Sequence, residues 1–154
     1  MKLRMRFRKD GLARFISHLD LIRTFERAFR RADLPMAFTQ GFSPRPKMTF
    51  APALSVGITS SSEYLDAEFR EEISVSDVAL RLNRVLPEGI KVTDVKIADE
   101  TIPLSMLNGA DYVVTVVLGE VTPEKMKERI RNILEQKELY IEKETKSGRK
   151  KLVN

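Results

Sequence analysis

Residues 2–8 alternate strictly between cationic and apolar side chains, in the order Lys2-Leu3-Arg4-Met5-Arg6-Phe7-Arg8. Successive side chains of a β-strand point to opposite faces of a sheet, so this alternation predicts a strand with one apolar face and one cationic face. The apolar face needs a core to cover it, and the cationic face is left for solvent or a ligand. The strand is therefore expected at the boundary between a core and an open surface.

Residues 1–98 contain six segments whose apolar spacing has the period of a strand or a helix. Helices are predicted at residues 18–33 and from a cap at Ser74 or Ser76 to Leu86. Further strands are predicted at residues 48–58, with an interruption at Pro52, and at residues 63–70 and 90–97. The element order is βαββαβ. With right-handed crossovers it gives a ferredoxin-like sandwich of four antiparallel strands under two helices, and the predicted fold class is α+β.

The element order starts again after a linker at residues 99–109. A strand is predicted at residues 110–118, a helix after Thr122-Pro123-Glu124, and two strands at residues 139–145 and 149–153 joined by a Lys146-Ser147-Gly148 turn. Residues 110–154 are therefore predicted as a partial second ferredoxin-like module of βαββ order. So short a module rarely buries enough surface to fold alone, so we expect it to pack on the first domain, to dimerise or to be a shortened form of a longer module.

The positive charge of the chain is concentrated near its start. The net charge is +5, and residues 1–50 hold 12 Lys or Arg against 4 Asp or Glu, whereas residues 51–110 hold 5 against 10. Such an asymmetry is typical of a protein that binds a polyanion, although an uneven solvated surface produces it too. The surplus of cations makes nucleic acid a candidate ligand.

The sequence contains no cysteine and one histidine, His18. The chain therefore has no thiolate for an iron–sulfur cluster and no disulfide, and a single histidine argues against zinc, so we predict no metal site and no cofactor in this chain. No apolar run approaches the length of a membrane span, and alternating cations follow Met1 in place of an apolar signal segment. The predicted location is the cytoplasm.

The connector GFSPRPK at residues 41–47 holds an aromatic ring and two cations in a stiff segment. Its two prolines remove two backbone donors and fix the dihedral φ, so the segment is neither helix nor strand. We expect its side chains to converge with the strand cations at one end of the sheet, where phosphates meet the cations and an unstacked base lies on the ring. The predicted RNA-binding residues are Arg4, Arg6, Arg8, Arg14, His18, Phe42, Arg45 and Lys47. In the alternative interpretation Phe42 fills the core and the strand cations face solvent.

His18 lies at the predicted start of a helix, where the helix dipole disfavours the protonated imidazole and keeps a neutral base available. It could act as a general base, or it could be a surface residue beside the Ser17 cap that bonds to Asp20 or to backbone. No cysteine, second histidine or evident nucleophile accompanies it in the sequence. No catalytic residue is therefore predicted, with His18 and Arg14 as the alternative pair.

Three motifs carry a resemblance to a known family. They are Phe15-Ile16-Ser17-His18-Leu19-Asp20, the connector GFSPRPK, and Ala53-Leu54-Ser55-Val56-Gly57 ahead of Glu63-Tyr64-Leu65-Asp66. Over residues 1–118 the chain resembles the bacterial radical-SAM-linked protein family, a domain of unknown function. Its members are encoded beside, or fused to, a radical S-adenosylmethionine enzyme with a cobalamin-binding domain. The resemblance implies that S-adenosylmethionine, the iron–sulfur cluster and cobalamin belong to that partner enzyme.

The leading hypothesis is an accessory RNA-binding module that presents ribosomal or transfer RNA to a radical-SAM partner, since a cysteine-free basic domain cannot compete for the cluster. A second hypothesis is a metal-independent endoribonuclease of the tandem ferredoxin-like type, as in CRISPR systems. In it His18 is the general acid or base, and Arg14 or Arg45 stabilises the developing phosphate charge. A third hypothesis is a protein-only adaptor whose GFSPRPK connector docks on the enzyme. The oligomeric state is left open.

Overall fold

The computed structural model describes residues 1–144 and 150–153. The chain divides into two compact units, Met1–Gly109 and Ala110–Asn154. In the first unit the elements are β1 (Lys2–Lys9), a 3₁₀ helix (Gly11–Phe15), α1 (His18–Arg31), β2 (Met48–Phe50), β3 (Ser60–Glu68), α2 (Val75–Val85), β4 (Ile90–Ile97) and a second 3₁₀ helix (Leu104–Met106).

The first unit is built on one sheet with the strand order β2-β3-β1-β4, in which every neighbouring pair is antiparallel. The predicted α+β class is confirmed. The strand predicted at residues 48–58 is wrong beyond Phe50, because β2 ends there and β3 begins only at Ser60. Pro52 has no backbone N–H to extend the pairing, and Gly57 turns the intervening loop with a φ of +91°.

The core lies between the sheet and the two helices. Leu3, Met5 and Phe7 are buried, as the alternation of β1 predicts. The Phe7 ring packs at 4.9 Å from the Phe25 ring of α1, with the two planes tilted by 59°. Burying one such aromatic side chain stabilises the fold by about 1.5 to 3 kcal/mol. Contacts of this kind, between the apolar side chains of β1 and those of α1, hold the helix to the sheet.

The alternation of buried and exposed side chains in β1 extends one residue beyond the predicted segment 2–8. Lys9 follows Phe7 on the core side and is almost fully buried, and its Nζ donates a hydrogen bond of 3.0 Å to the carbonyl oxygen of Ile16. A buried ammonium group needs such an acceptor, because an unbonded one costs several kcal/mol, on the order of 5 or more. The bond ties the end of β1 to the residue that precedes the cap of α1.

α1 begins where a serine cap was predicted. The backbone N–H of Asp20 donates to Ser17 Oγ over 3.1 Å, and Ser17 Oγ donates in turn to Asp20 Oδ2 over 2.7 Å. The helix ends at Arg31, two residues earlier than predicted, because Asp33 adopts a left-handed φ of +50°.

The second unit contains α3 (Pro123–Leu134), β5 (Ile141–Glu144) and β6 (Lys150–Val153). Thr122 caps α3 by accepting a bond of 3.3 Å from the N–H of Lys125, and β5 pairs with β6 antiparallel. The strand predicted at residues 110–118 is wrong, because this run is not a strand in the structure. Among the described residues it has no hydrogen-bonding partner, and β5 pairs with β6 instead. The predicted Lys146-Ser147-Gly148 turn lies outside the described residues.

Within the described residues, no helix has both the length and the apolar character needed to cross a lipid bilayer.

Candidate nucleic-acid interface

The sheet of the first unit has an outer face, turned away from α1 and α2, that carries the cations of β1. Cross-strand register sets their neighbours. Arg6 lies opposite Tyr64 of β3 and Asp94 of β4, and Arg8 lies opposite Lys91 of β4. A register shift between Arg6 and Phe7 marks a bulge in the pairing of β1 with β4. Bulges of this kind re-aim side chains at binding surfaces.

Two of the cross-strand pairs on the outer face join like charges. Arg8 faces Lys91, and Arg4 faces Lys96. Like charges directly opposite each other destabilise a sheet by a few tenths of a kcal/mol to about 1 kcal/mol. Arg8 Nε also lies 3.2 Å from Asp10 Oδ2. This ion pair offsets the repulsion only weakly, because both side chains are about half exposed.

The remaining cations of this face are exposed to solvent. Arg6, Lys91 and Lys96 are exposed, and they make no ion pair with any residue that the structure describes. We call the set formed by Arg6, Arg8, Tyr64, Lys91 and Lys96 the cationic face. Its one opposing carboxylate in register is that of Asp94, across from Arg6.

Arg4 does not contribute a free charge to this face, contrary to the sequence prediction. Its Nε and Nη2 donate to the two carboxylate oxygens of Asp66 over 2.7 and 2.8 Å, and Nη2 also donates to the carbonyl oxygen of Ile102 over 2.8 Å. The side chains of Arg4 and Asp66 are 12% and 2% exposed. The hydrogen bonds to Asp66 raise the pKa of Arg4 although burial lowers it. Three of the five N–H donors of the guanidinium are therefore engaged within the protein before any phosphate arrives.

Lys47 lies at the opposite end of the sheet from Arg14 and His18, so the predicted convergence does not include it. Arg14 and His18 follow the carboxyl end of β1, whereas Lys47 bonds through its carbonyl to the N–H of Glu68, which lies opposite Lys2 at the other end. Seven residue steps of about 3.3 Å, roughly 23 Å in all, separate the two ends. The reason is the path of α1, which returns along the sheet, so that the chain after it reaches Lys47 at the far end. Pro44 and Arg45 of the connector line one groove with Leu19 of α1.

The GFSPRPK connector forms the return arm of a tight hairpin. Phe38 pairs with Pro46, and the N–H of Thr39 donates to the carbonyl oxygen of Arg45 over 2.9 Å. Gly41 at the tip has a φ of +125°, which favours glycine. The side chain of Phe42 is fully exposed beside it, so the interpretation in which Phe42 fills the core is wrong.

The two cations of the connector lie in different surroundings. Lys47 Nζ is 3.0 Å from Glu68 Oε2 in a half-exposed pair, which is worth little and can be exchanged. Arg45 is exposed and makes no side-chain bond with a described residue. Its backbone is fixed at both polar groups, since the N–H donates to Thr39 Oγ1 over 3.0 Å and the carbonyl oxygen accepts from the N–H of Thr39.

His18 and Arg14 are near each other in sequence but are engaged differently. The His18 ring is half-buried and packs edge-on at 5.7 Å against the ring of Phe50, and its side chain makes no hydrogen bond with a described residue. The Arg14 guanidinium lies 4.7 Å above the ring of Phe15. Asp20 is held by Ser17, whose hydrogen bond lowers the pKa of the Asp20 carboxyl. The expected bond between His18 and Asp20 is therefore replaced by the bond from Ser17.

The residues that sequence reasoning missed are Tyr64, Lys91 and Lys96. Each lies in a predicted strand, and their alternation places them on an outward face, but one sequence does not say which strands are neighbours. The pairing of β1 with both β3 and β4 brings these three side chains beside Arg6 and Arg8.

The chain matches a known family along almost its whole length. A family model described as "Uncharacterized protein conserved in bacteria (DUF2344)" matches residues 2–154, which include both units. No curated protein matches the chain. The match brings no reaction with it, so the cationic face and the connector are the features that bear on function.

Proposed function

We propose, on the premise that the chain belongs to this family of uncharacterized proteins conserved in bacteria, that its first unit is an RNA-binding module. The RNA strand runs over the cationic face. Phosphates bind Arg6, Arg8, Lys91 and Lys96, and one base stacks on the ring of Tyr64. The protein acts as an accessory subunit that presents ribosomal or transfer RNA to a radical-SAM enzyme.

One observation carries the RNA-binding part of the proposal. Arg8 and Lys91 face each other across two antiparallel strands, although such a pair weakens the sheet. Asp10 offsets this repulsion only in part, and a phosphate between the two cations would replace the repulsion by two attractions. The arrangement therefore favours a polyanionic ligand over plain solvent.

Tyr64 indicates which polyanion fits. Its ring lies directly opposite Arg6, in the centre of the sheet where β3 meets β1. RNA-binding sheets of four strands place aromatic rings on their central strands, and bases stack on them. A single strand exposes its bases to such a ring, whereas the bases of a duplex are stacked on one another. We therefore propose single-stranded RNA as the ligand.

Phe42 offers a second place for a base. The ring is exposed at a hairpin tip that Pro44 and Pro46 stiffen, so little loop entropy is lost when a ligand orders it. In this proposal the RNA passes from the cationic face to the hairpin, and Arg4 stays bound to Asp66.

Binding of a short labelled single-stranded RNA, followed by fluorescence anisotropy at several salt concentrations, tests the proposal. Replacing Arg6 and Lys91 by alanine should lower the slope of log Kd against log salt by about 1.4, because each lost phosphate contact removes roughly 0.7. Tyr64→Leu should weaken binding by about 1 to 3 kcal/mol with the slope unchanged, since stacking releases no counterion. Phe42→Ala should act in the same way as Tyr64→Leu.

The matched control is the double variant Arg27→Ala with Arg84→Ala, which removes the same charge from exposed helix positions. It should change the slope much less. An equal loss in both double variants would mean that net charge alone attracts RNA, and the proposal would fail. Cleavage of the RNA in EDTA that is lost in His18→Ala would favour the endoribonuclease instead.

The partner part of the proposal rests on the resemblance of residues 15–20 and 41–47 to the radical-SAM-linked family. The enzyme would supply the cluster, S-adenosylmethionine and cobalamin. We expect the chain and a radical-SAM enzyme of the kind that the resemblance implies to elute together from a sizing column, with or without ribonuclease. Separate elution in both conditions would remove the enzyme from the proposal and leave the RNA-binding module.

A further inference from the structure

The outer face of β3 carries two hydroxyl groups beside the cations of β1. Ser62 Oγ donates a hydrogen bond to the phenol oxygen of Tyr64 over 3.3 Å. The two residues are two apart in one strand, so their side chains lie on the same face of the sheet. On that face Tyr64 lies opposite Arg6. These two hydroxyls, which we call the hydroxyl pair, therefore lie within the surface that we assign to RNA.

An irregularity in the strand pairing brings Ser62 next to a second cation. The register of β1 with β3 shifts between Phe7 and Lys9. In that interval residues 61 and 62 of β3 oppose the single residue Arg8 of β1. A stretch in which two residues oppose one is a bulge, and bulges are frequent beside functional sites. A ligand whose phosphates bind the cations of β1 therefore passes over the hydroxyl pair.

Both hydroxyls keep hydrogen-bonding capacity for a ligand. Ser62 uses its O–H on Tyr64, so the Tyr64 O–H is left as a donor and the Ser62 oxygen as an acceptor. Among the residues that the structure describes, neither side-chain hydroxyl has another partner. By contrast, the hydroxyl of Thr93 on β4 is engaged, because it donates to the carbonyl oxygen of Arg6 over 3.1 Å.

The bond within the hydroxyl pair is weak enough to be exchanged. Hydrogen bonds between two oxygens usually measure about 2.5 to 3.0 Å, and this one is longer. Ser62 is exposed and Tyr64 is half-buried, so a ligand can reach both oxygens. A phosphodiester only accepts hydrogen bonds, whereas a ligand hydroxyl accepts and donates. A hydroxyl therefore matches the pair better than a phosphate does.

We propose that the hydroxyl pair binds the ribose 2′-hydroxyl of the nucleotide whose base stacks on Tyr64, and so selects RNA over DNA. The 2′-hydroxyl accepts from the Tyr64 O–H and donates to Ser62 Oγ. It is the group by which a protein distinguishes RNA from DNA at a given site. The base covers the face of the ring, and the phenol oxygen lies at the ring edge, where the ribose passes. The inference rests on the RNA-binding function proposed above and adds to it the sugar that is recognised.

Binding of labelled single strands of one sequence tests the inference. One strand is RNA, and another is DNA with deoxyuridine in place of thymidine, so that only the 2′-hydroxyl differs between them. We expect the unchanged protein to bind the RNA about three- to tenfold more tightly, which is the value of one net hydrogen bond between neutral groups. A third strand with 2′-fluorine keeps the sugar conformation of RNA but has no hydroxyl, and it should bind as the DNA does.

Two variants remove the hydroxyls one at a time. Tyr64→Phe keeps the ring for stacking, and Ser62→Ala leaves the strand and its charges as they are. Each should bind RNA about three- to tenfold more weakly and DNA with much less change, so that the preference for RNA disappears. The slope of log Kd against log salt should stay the same, since a hydroxyl releases no counterion.

The matched control is Ser61→Ala. Ser61 is exposed next to Ser62, and its side chain makes no hydrogen bond with a described residue. This variant should keep the full preference for RNA. The inference is overturned if Ser61→Ala removes the preference as completely as Ser62→Ala does.

The other outcomes separate this inference from the function on which it rests. If neither RNA nor DNA binds, RNA binding by the cationic face fails and the inference fails with it. If RNA and DNA bind equally tightly, the cationic face binds single strands and only the inference is overturned. It is also overturned if the 2′-fluoro strand binds as tightly as RNA, or if Tyr64→Phe and Ser62→Ala leave the preference intact.

Discussion

Replacing Asp66 by alanine should lower the free energy of unfolding by about 3 kcal/mol, because it leaves the guanidinium of Arg4 unpaired in a site that is mostly dry. Asp66 accepts two hydrogen bonds from Arg4, of 2.7 and 2.8 Å, and is itself almost fully buried. Chemical denaturation measures the loss directly. Because Arg4 is also bonded to the carbonyl oxygen of Ile102, residues near 102 should lose protection against hydrogen exchange at the same time.

A double variant separates the value of the pair from the cost of breaking it. Arg4→Met with Asp66→Leu removes both charges and keeps similar volume, so we expect a stability within about 1 kcal/mol of the original. RNA binding by this double variant should equal that of the unchanged protein, since Arg4 is not part of the cationic face. If Asp66→Ala costs less than about 1 kcal/mol, the pair behaves as a solvated surface pair and Arg4 is free to bind phosphate after all.

The second large effect is expected at Gly89, just before β4. Its φ is +84°, and a Cβ added there would lie 2.5 Å from the carbonyl oxygen of Asp10 and 2.9 Å from Cβ of Ala13. The N–H of Asp10 donates to the carbonyl oxygen of Gly89 over 2.8 Å, so the two segments cannot move apart freely. Gly89→Ala should therefore destabilise the unit by about 3 kcal/mol, from backbone strain of roughly 1 to 2 and overpacking of roughly 1 to 3.

Gly57 supplies the control for Gly89. It has a similar φ of +91°, but a Cβ added there meets nothing within 4 Å. Gly57→Ala should show the backbone strain alone, about 1 to 2 kcal/mol, in a denaturant titration run beside that of Gly89→Ala. Equal losses in the two variants would show that the close approach to Asp10 and Ala13 relaxes without cost.

Local patterns were enough to predict much of the first unit. The alternation of β1 predicts that Leu3 and Met5 are buried, and the Ser17 cap predicts the start of α1 within one residue. Both features depend on residues that are close in sequence, where the periods of strand and helix apply. The α+β class follows from the order of such segments.

Features that depend on distant residues could not be predicted in the same way. Arg4 and Asp66 are 62 residues apart, and only the register of β1 with β3 brings them together. The separation of Arg14 from Lys47 depends on where α1 ends relative to the sheet. The segment 110–118 has strong β propensity, but propensity alone does not supply a partner strand. The groove lined by Leu19 and Arg45 likewise needs α1 and the hairpin at Phe38 to be placed side by side.

The central position of β1 has a consequence for how the protein is made. β1 pairs with β3 on one side and with β4 on the other. Both partners follow β1 in the chain, so β1 is synthesised before the strands that enclose it. At about 5 to 20 residues per second, roughly 4 to 20 seconds pass between the synthesis of β1 and that of Ile97 at the end of β4. During that interval a segment with five unshielded cations trails from the ribosome, a particle made largely of polyanion. The strand that we assign to RNA recognition is therefore also the strand most exposed to premature RNA contact during translation.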